Sequence, residues 1–244
     1  MAVQHSGVIM QRTLMITGAS SGIGLATAAL FQQKKYRVIN LSRTPCDLPE
    51  VLNFCVDLSQ SEEVQSFIEE LPKLFERQEA ITLVHNASPY LQDSVLSYDP
   101  KKMSQAFAIG IIAPSLLNQA LIPYMKDDSS LLFIGSTLSE KAVPGCMSYV
   151  ALKHSLVGLM RSCAQDLALH EKKIHTACIC PGFTETNMLN KNVDREVLEK
   201  IVKEKVILKR LIQPEEIANF ILFCSQNPLI NGSVLHGNLG QIEN

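Results

Sequence analysis

The chain has 244 residues, 46% of them apolar and 19% charged, which is enough to bury a core without disulfide or metal support. A formal net charge of −2 supplies no broad basic field, so nucleic acid is not an expected partner.

In chain order, strands are predicted over residues 13–17, 37–42, 51–55, 81–85, 131–136, 175–180 and 233–235. Several are continuously apolar rather than alternating, the pattern of strands covered on both faces of a parallel sheet. Helical stretches fall between them, over 22–34, 61–77, 101–126, 147–170, 193–203 and 214–226. This alternation, with no repeat, linker or composition break, predicts a single α/β domain over residues 1–244, a doubly wound parallel-sheet Rossmann fold. Residues 187–211 are the most charged stretch and read as either a substrate lid or a solvated helix pair.

The first strand runs into Gly18-Ala19-Ser20-Ser21-Gly22-Ile23-Gly24 and then a helical stretch. Glycines permit a tight turn and close approach of backbone to a pyrophosphate, and the helix that follows points its positive end at it. At the end of the second strand an NAD site places an acidic residue against the ribose hydroxyl. Here Ser42 and Arg43 stand instead, and a guanidinium suits a 2′-phosphate. NADP(H) is therefore the expected cofactor, with NAD(H) the secondary reading.

Tyr149 and Lys153 are four apart and share a helix face. An ammonium beside a phenol stabilises tyrosinate, lowers its pKa and fits it for proton transfer. Ser136 follows an apolar strand at its C-terminal end, where open α/β sheets place ligands. These three are the candidate catalytic residues.

With TGASSGIG at 17–24, VDL at 56–58, HNA at 85–87, YVALK at 149–153, PGFTETNM at 181–188, RLIQPEEIA at 210–218 and INGSVL at 230–235, the chain resembles the short-chain dehydrogenase/reductase family over essentially its whole length. The resemblance implies that Asp57 and Leu58 contact adenine, and that Asn86 and Ala87 line the adenosine ribose and the sheet centre. It implies that Tyr149 is the general acid in reduction, that Ser136 fixes the carbonyl, and that Lys153 holds the nicotinamide ribose. Pro181, Gly182, Thr184 and Thr186 would grip the nicotinamide end and favour transfer of the pro-S hydride. The implied reaction interconverts a carbonyl and an alcohol, with 3-oxoacyl thioesters among the candidate substrates.

Three positions depart from the family pattern. Gly110 stands where similar enzymes carry an asparagine that organises a water-linked proton path to the lysine; this opens the alternative of a cofactor-binding regulatory protein with weakened catalysis. His85-Asn86-Ala87-Ser88 replaces Asn-Asn-Ala-Gly, with His85 read as a hydrogen-bonded structural residue. Asn238-Leu239-Gly240 replaces a more usual acidic-glycine ending.

The predicted helix over 147–170 is apolar around much of its circumference. One stripe packs on the sheet and another needs a second cover. Similar proteins pair this helix across a two-fold axis, so a homodimer or homotetramer is expected. Seven scattered cysteines make no disulfide framework. Cys178 and Cys180 read as structural thiols on one strand face, and with no ligand spacing among the histidines no metal is expected. The apolar runs are too short to span a bilayer, and the opening MAVQHSGVIMQR shows no secretory signal. A cytoplasmic protein with no membrane partner is expected.

Overall fold

A computed structural model describes residues 12–241; residues 1–11, on which the expectation about a secretory signal rests, lie outside them. The strands are β1 (Arg12–Thr17), β2 (Arg37–Ser42), β3 (Leu52–Cys55), β4 (Ala80–His85), β5 (Ser130–Ile134), β6 (His175–Pro181) and β7 (Ser233–Gly237). They form one sheet in the order β3-β2-β1-β4-β5-β6-β7, and every pairing is parallel. The fold is the doubly wound α/β class expected.

Alternation within β1 builds the two layers. Leu14 and Ile16 face a core shared with Ala28, Phe31, Ile217 and Ile221. Met15 faces the opposite core, with Leu117, Leu121, Leu156 and Met160. All three β1 residues are fully buried, each worth about 1.5–3 kcal/mol relative to exposure. Helix α1 (Gly22–Gln33) and α9 (Pro214–Ser225) cover the first face. Helices α5 (Ala113–Leu121) and α6 (Met147–Leu169) cover the second. The chain changes face between β1 and β4, and the crevice above their C-terminal ends is where such sheets bind ligands.

Several predicted elements end differently, for local reasons. The helix expected over 61–77 divides into α2 (Ser61–Ile68) and α3 (Leu71–Leu74); Pro72 has no N–H to donate, so the chain starts a new turn there. The helix expected over 101–126 is α4 (Pro100–Phe107), a wide π turn at Ala108–Ile112, α5, and a closing 3-10 turn at Ile122–Tyr124. Pro114 lies four residues beyond Gly110. Its ring has no amide to give the Gly110 carbonyl and would crowd it in a regular helix, which the wider turn relieves. This joined helix, Pro100–Tyr124, is long and apolar enough to meet the length and composition of a bilayer span, which corrects the reading that no segment reaches that length; Leu117 and Leu121 on it are buried against the sheet.

The helix expected over 193–203 is α8 (Arg195–Lys205), and a short helix, α7 (Asn187–Asn192), precedes it. Thr186 caps α7 by accepting from Leu189 N at 3.2 Å. Asp194 caps α8 by accepting from Glu196 N at 3.0 Å and Val197 N at 3.2 Å. Leu198, Val202 and Val206 form a small apolar cluster with Phe183 and Leu189, so the charged stretch has a buried face of its own.

Candidate active site

A cavity of about 720 Å³ opens along the C-terminal edge of the sheet. Its lining includes Gly18, Ser20, Ser21, Gly22, Ile23, Arg43, Asp57, Leu58, Asn86, Ala87, Ser136, Tyr149, Lys153, Pro181, Gly182, Thr184 and Thr186. Every sequence-predicted site residue is in that lining except Gly24. Gly24 has a packing role: a Cβ there would lie 2.2 Å from the Gly18 carbonyl oxygen.

The turn after β1 is built for backbone, not side chains. Gly18 and Gly22 have φ of 75° and 55°, in the left-handed region that favours glycine. Ser21 precedes α1 without capping it by its side chain, so N–H groups of the first helical turn stay available at the cavity wall. Two asparagines hold the turn. Asn86 donates from Nδ2 to the carbonyls of Thr17 and Gly18 at 3.0 and 3.1 Å, so it holds the turn while lining the cavity. Asn40, not singled out in the sequence, accepts from Ala19 N at 2.9 Å and donates to Ser42 Oγ and Asn53 Oδ1. A fully buried asparagine inside an apolar strand was the available signal, since such a group is retained only with partners.

Asp57 and Arg43 both line one end of the cavity. The Asp57 carboxyl is held below its ordinary value, chiefly by the Ser59 N–H and with a smaller contribution from the Arg43 guanidinium. Arg43 is exposed at the edge of this end.

At the other end stand Ser136, Tyr149 and Lys153. Strand β5 stops at Ile134, so Ser136 sits beyond the strand and caps the 3-10 turn Thr137–Ser139. Its Oγ accepts from Leu138 N at 3.1 Å, and its backbone N donates to Ser139 Oγ at 3.1 Å. Its hydroxyl favours the tyrosinate form of Tyr149, but burial outweighs that influence and pushes the Tyr149 phenol well above its usual value of 10. Lys153 is 2% exposed and donates from Nζ to the Ile134 carbonyl at 2.8 Å. Burial brings its ammonium down to about 8. Nζ lies 5.4 Å from the centroid of the Tyr149 ring. The expected lowering of the phenol by this lysine is therefore corrected: the ammonium bonds a strand carbonyl while burial governs the tyrosine.

Cys178 and Cys180 lie behind this end, both fully buried, with sulfurs 3.9 Å apart. Both sulfurs and Ser139 Oγ would lie 2.8 Å from a Cβ placed on Gly135, so this glycine makes room for the thiol layer. Hydrogen bonding within the pair lowers the Cys180 thiol and raises that of Cys178.

His85 bonds Asn118 Oδ1 through Nε2 at 2.8 Å, and burial holds it at about 4. It is neutral at physiological pH and ties β4 to α5, a structural part. Gly110 is buried in the π turn, and a Cβ there would meet Leu152 Cδ1 at 2.7 Å. The volume an asparagine would need is filled by a leucine methyl.

Tyr90 and Gln241 are among the lining residues not picked out in the sequence. Tyr90 packs edge-on against Tyr149, with ring centroids 5.1 Å apart. Gln241 lines the cavity with a buried side-chain oxygen that has no hydrogen-bond partner. An isolated tyrosine or glutamine in a loop carries no periodicity or motif, so only tertiary packing reveals either.

A seven-stranded parallel sheet with a glycine turn at its switch point, and serine, tyrosine and lysine at the far end of one cavity, defines a Rossmann-type dinucleotide site. The family model described as enoyl-(acyl carrier protein) reductase matches residues 18–241. The chain belongs to the short-chain dehydrogenase/reductase family. It is 29% identical over 237 residues to the 3-oxoacyl-[acyl-carrier-protein] reductase of Mus musculus, covering 93% of this chain and 96% of that one. Among solved structures it is similar to a 4-hydroxyisoleucine dehydrogenase mutant complexed with NADH and succinate, with TM-score 0.85, 24% identity and coverage of 94% and 98%. It is also similar to a short-chain dehydrogenase from Burkholderia cenocepacia J2315 in complex with NADP, with TM-score 0.84, 19% identity and coverage of 95% and 98%.

Proposed function

We propose that this protein is an NADP(H)-dependent oxidoreductase that interconverts a carbonyl and a secondary alcohol. The observation that carries the reading is one cavity with the Ser136, Tyr149 and Lys153 side chains at one end and Arg43 at the other. The cavity suits a dinucleotide: the positive-φ glycines leave its wall clear of side chains, and the unpartnered Gln241 oxygen offers an acceptor within it. Gly18 to Ile23 would hold the pyrophosphate, Arg43 the 2′-phosphate, Asp57 and Leu58 the adenine, and Thr184 and Thr186 the nicotinamide end. The bound nicotinamide supplies or accepts hydride.

The chain's own residues handle the proton. Ser136 holds the substrate oxygen by its hydroxyl, and the Tyr149 phenol donates its proton to that oxygen in reduction. The phenol is raised by burial and protonated at neutral pH, the form that donates in reduction. Lys153, anchored to the Ile134 carbonyl at 2.8 Å, would hold the nicotinamide ribose. The helices α7 and α8 line the cavity through Met188, Leu189, Ile201 and Lys205, which supports a substrate-lid role for residues 187–211. A homodimer or homotetramer in the cytoplasm completes the reading.

A pure-protein assay follows NADPH absorbance with a panel of ketones and 3-oxoacyl thioesters. Turnover that Tyr149→Phe abolishes is expected. Bound cofactor with no turnover of any substrate would sink the enzyme reading and favour a cofactor-binding regulatory protein. The Leu152 methyl in the Gly110 space is the observation that keeps this second reading in play.

A further inference from the structure

Helix α6 begins two residues before the candidate proton donor, and its own start is poorly secured. Cys146 occupies the N-cap and makes no side-chain capping bond. The missing cap comes from the loop after β4, which brings Asp93 to the helix start from 55 residues away. Asp93 Oδ1 accepts from Ser148 N at 2.9 Å, and Oδ2 accepts from the Ser148 hydroxyl in a short bond. The backbone joins the same segment: Asp93 N donates to the Gly145 carbonyl at 3.1 Å, and Met147 N donates to the Asp93 carbonyl at 3.3 Å. Four bonds from one residue therefore grip residues 145–148, directly before Tyr149. Ser148 is fully buried, and a carboxylate at a helix N-terminus is favoured by the aligned backbone dipoles.

The same loop touches the phenol itself. Tyr90 packs edge-on against Tyr149 and shares a hydrogen bond with the Cys146 sulfur at 3.2 Å. Loop and helix start thus form one clamp, with Asp93 its polar anchor and Tyr90 its apolar wall.

We infer that Asp93 is a positioning residue for the reaction: through Ser148 it fixes the first turn of α6, and so the place of the Tyr149 hydroxyl relative to Ser136. Asp93 is absent from the cavity lining, so it acts without touching substrate. The inference rests on the reading of Tyr149 as the proton donor. Asparagine at this position keeps an oxygen for Ser148 N and an amide that the Ser148 hydroxyl can accept from, so it preserves the clamp. Alanine removes both side-chain bonds.

The experiment compares wild type, Asp93→Ala and Asp93→Asn for kcat, for substrate KM, for NADPH Kd by fluorescence, and for the NMR shift of ring-labelled Tyr149, assigned with Tyr149→Phe. Expected for Asp93→Ala is a fall in kcat of about tenfold to a hundredfold, the range for a small misplacement of a reacting group. The Tyr149 signal should move and the NADPH Kd should stay put. Asp93→Asn should recover most of the rate and the wild-type signal. A folded Asp93→Ala protein with wild-type kcat and an unmoved Tyr149 signal would overturn the inference. So would a loss of rate matched by an equal loss of NADPH affinity. If Asp93→Ala does not fold, Ser148→Ala removes the hydroxyl bond alone, and the same signature is expected with a smaller fall in kcat. If wild type turns over nothing, the proposed function fails by that result, and the Tyr149 signal still decides whether Asp93 positions the phenol.

Discussion

Lys153→Met exchanges a buried ammonium for a thioether that fills similar space. Burial brings the lysine from an ordinary 10.5 to about 8, so charging it in the folded chain costs about 3 kcal/mol. Below pH 8 the lysine is protonated both folded and unfolded, and the folded state bears the whole cost. Between pH 8 and 10.5 the folded chain gives up a proton that the unfolded chain keeps, and the cost shrinks by about 1.4 kcal/mol per pH unit. Above 10.5 it is gone. The variant also loses the bond to the Ile134 carbonyl, an offset of about 1–2 kcal/mol while the lysine is charged.

Near pH 7 the methionine variant should therefore be the more stable by about 1–2 kcal/mol, and by pH 9.5 the advantage should fall by about 2 kcal/mol, to near zero or below. Urea denaturation of both proteins at the two pH values, with equal m-values, measures this directly. A stability difference that stays constant from pH 7 to 9.5 would refute the placement of a costly buried charge at Lys153. Turnover should be lost in the variant at both values.

Arg43→Ala should weaken NADPH by about 1.5–3 kcal/mol while leaving NADH nearly unchanged, measured by titration of each; equal effects would remove the phosphate reading. Gly110→Asn should destabilise the fold by about 1–3 kcal/mol through overpacking against Leu152. A double-mutant cycle with Leu152→Ala should show coupling that relieves part of this cost, and simple additivity would contradict the contact. His85 has an ordinary value of 6.5 and is held at about 4 in the fold. Its neutral form therefore contributes stability that is complete above 6.5 and lost as pH falls towards 4. His85→Gln should flatten the decline in stability between pH 6.5 and 4, seen by chemical denaturation across that window.

The central strands were legible because their apolar runs are continuous, and the glycine turn because its spacing sits between a strand and a helix. Helix interruptions were less legible. Pro72 and Pro114 mark two of them, but whether a proline ends a helix or widens one turn depends on what packs around it. Thr186 and Asp194 are ordinary capping residues, yet the short helix over 187–192 was not predicted as an element of its own, and its cap is evident only in place. Of the candidate site, Ser136, Tyr149 and Lys153 were evident as types at a spacing. Their mutual arrangement was not, because Lys153 bonds Ile134 and Ser136 caps its own turn.

What the sequence determined by itself is the class of fold and the candidate residues for chemistry, since periodicity and motif spacing are local properties. Tertiary structure alone decided that Leu152 fills the space beside Gly110, that Asn40 and Asn86 hold the glycine turn, and that Asp93 anchors the helix bearing Tyr149. Each joins residues far apart in the chain, and the energies involved, burial of a charge or a polar group matched to its partner, exist only once the packing has brought them together.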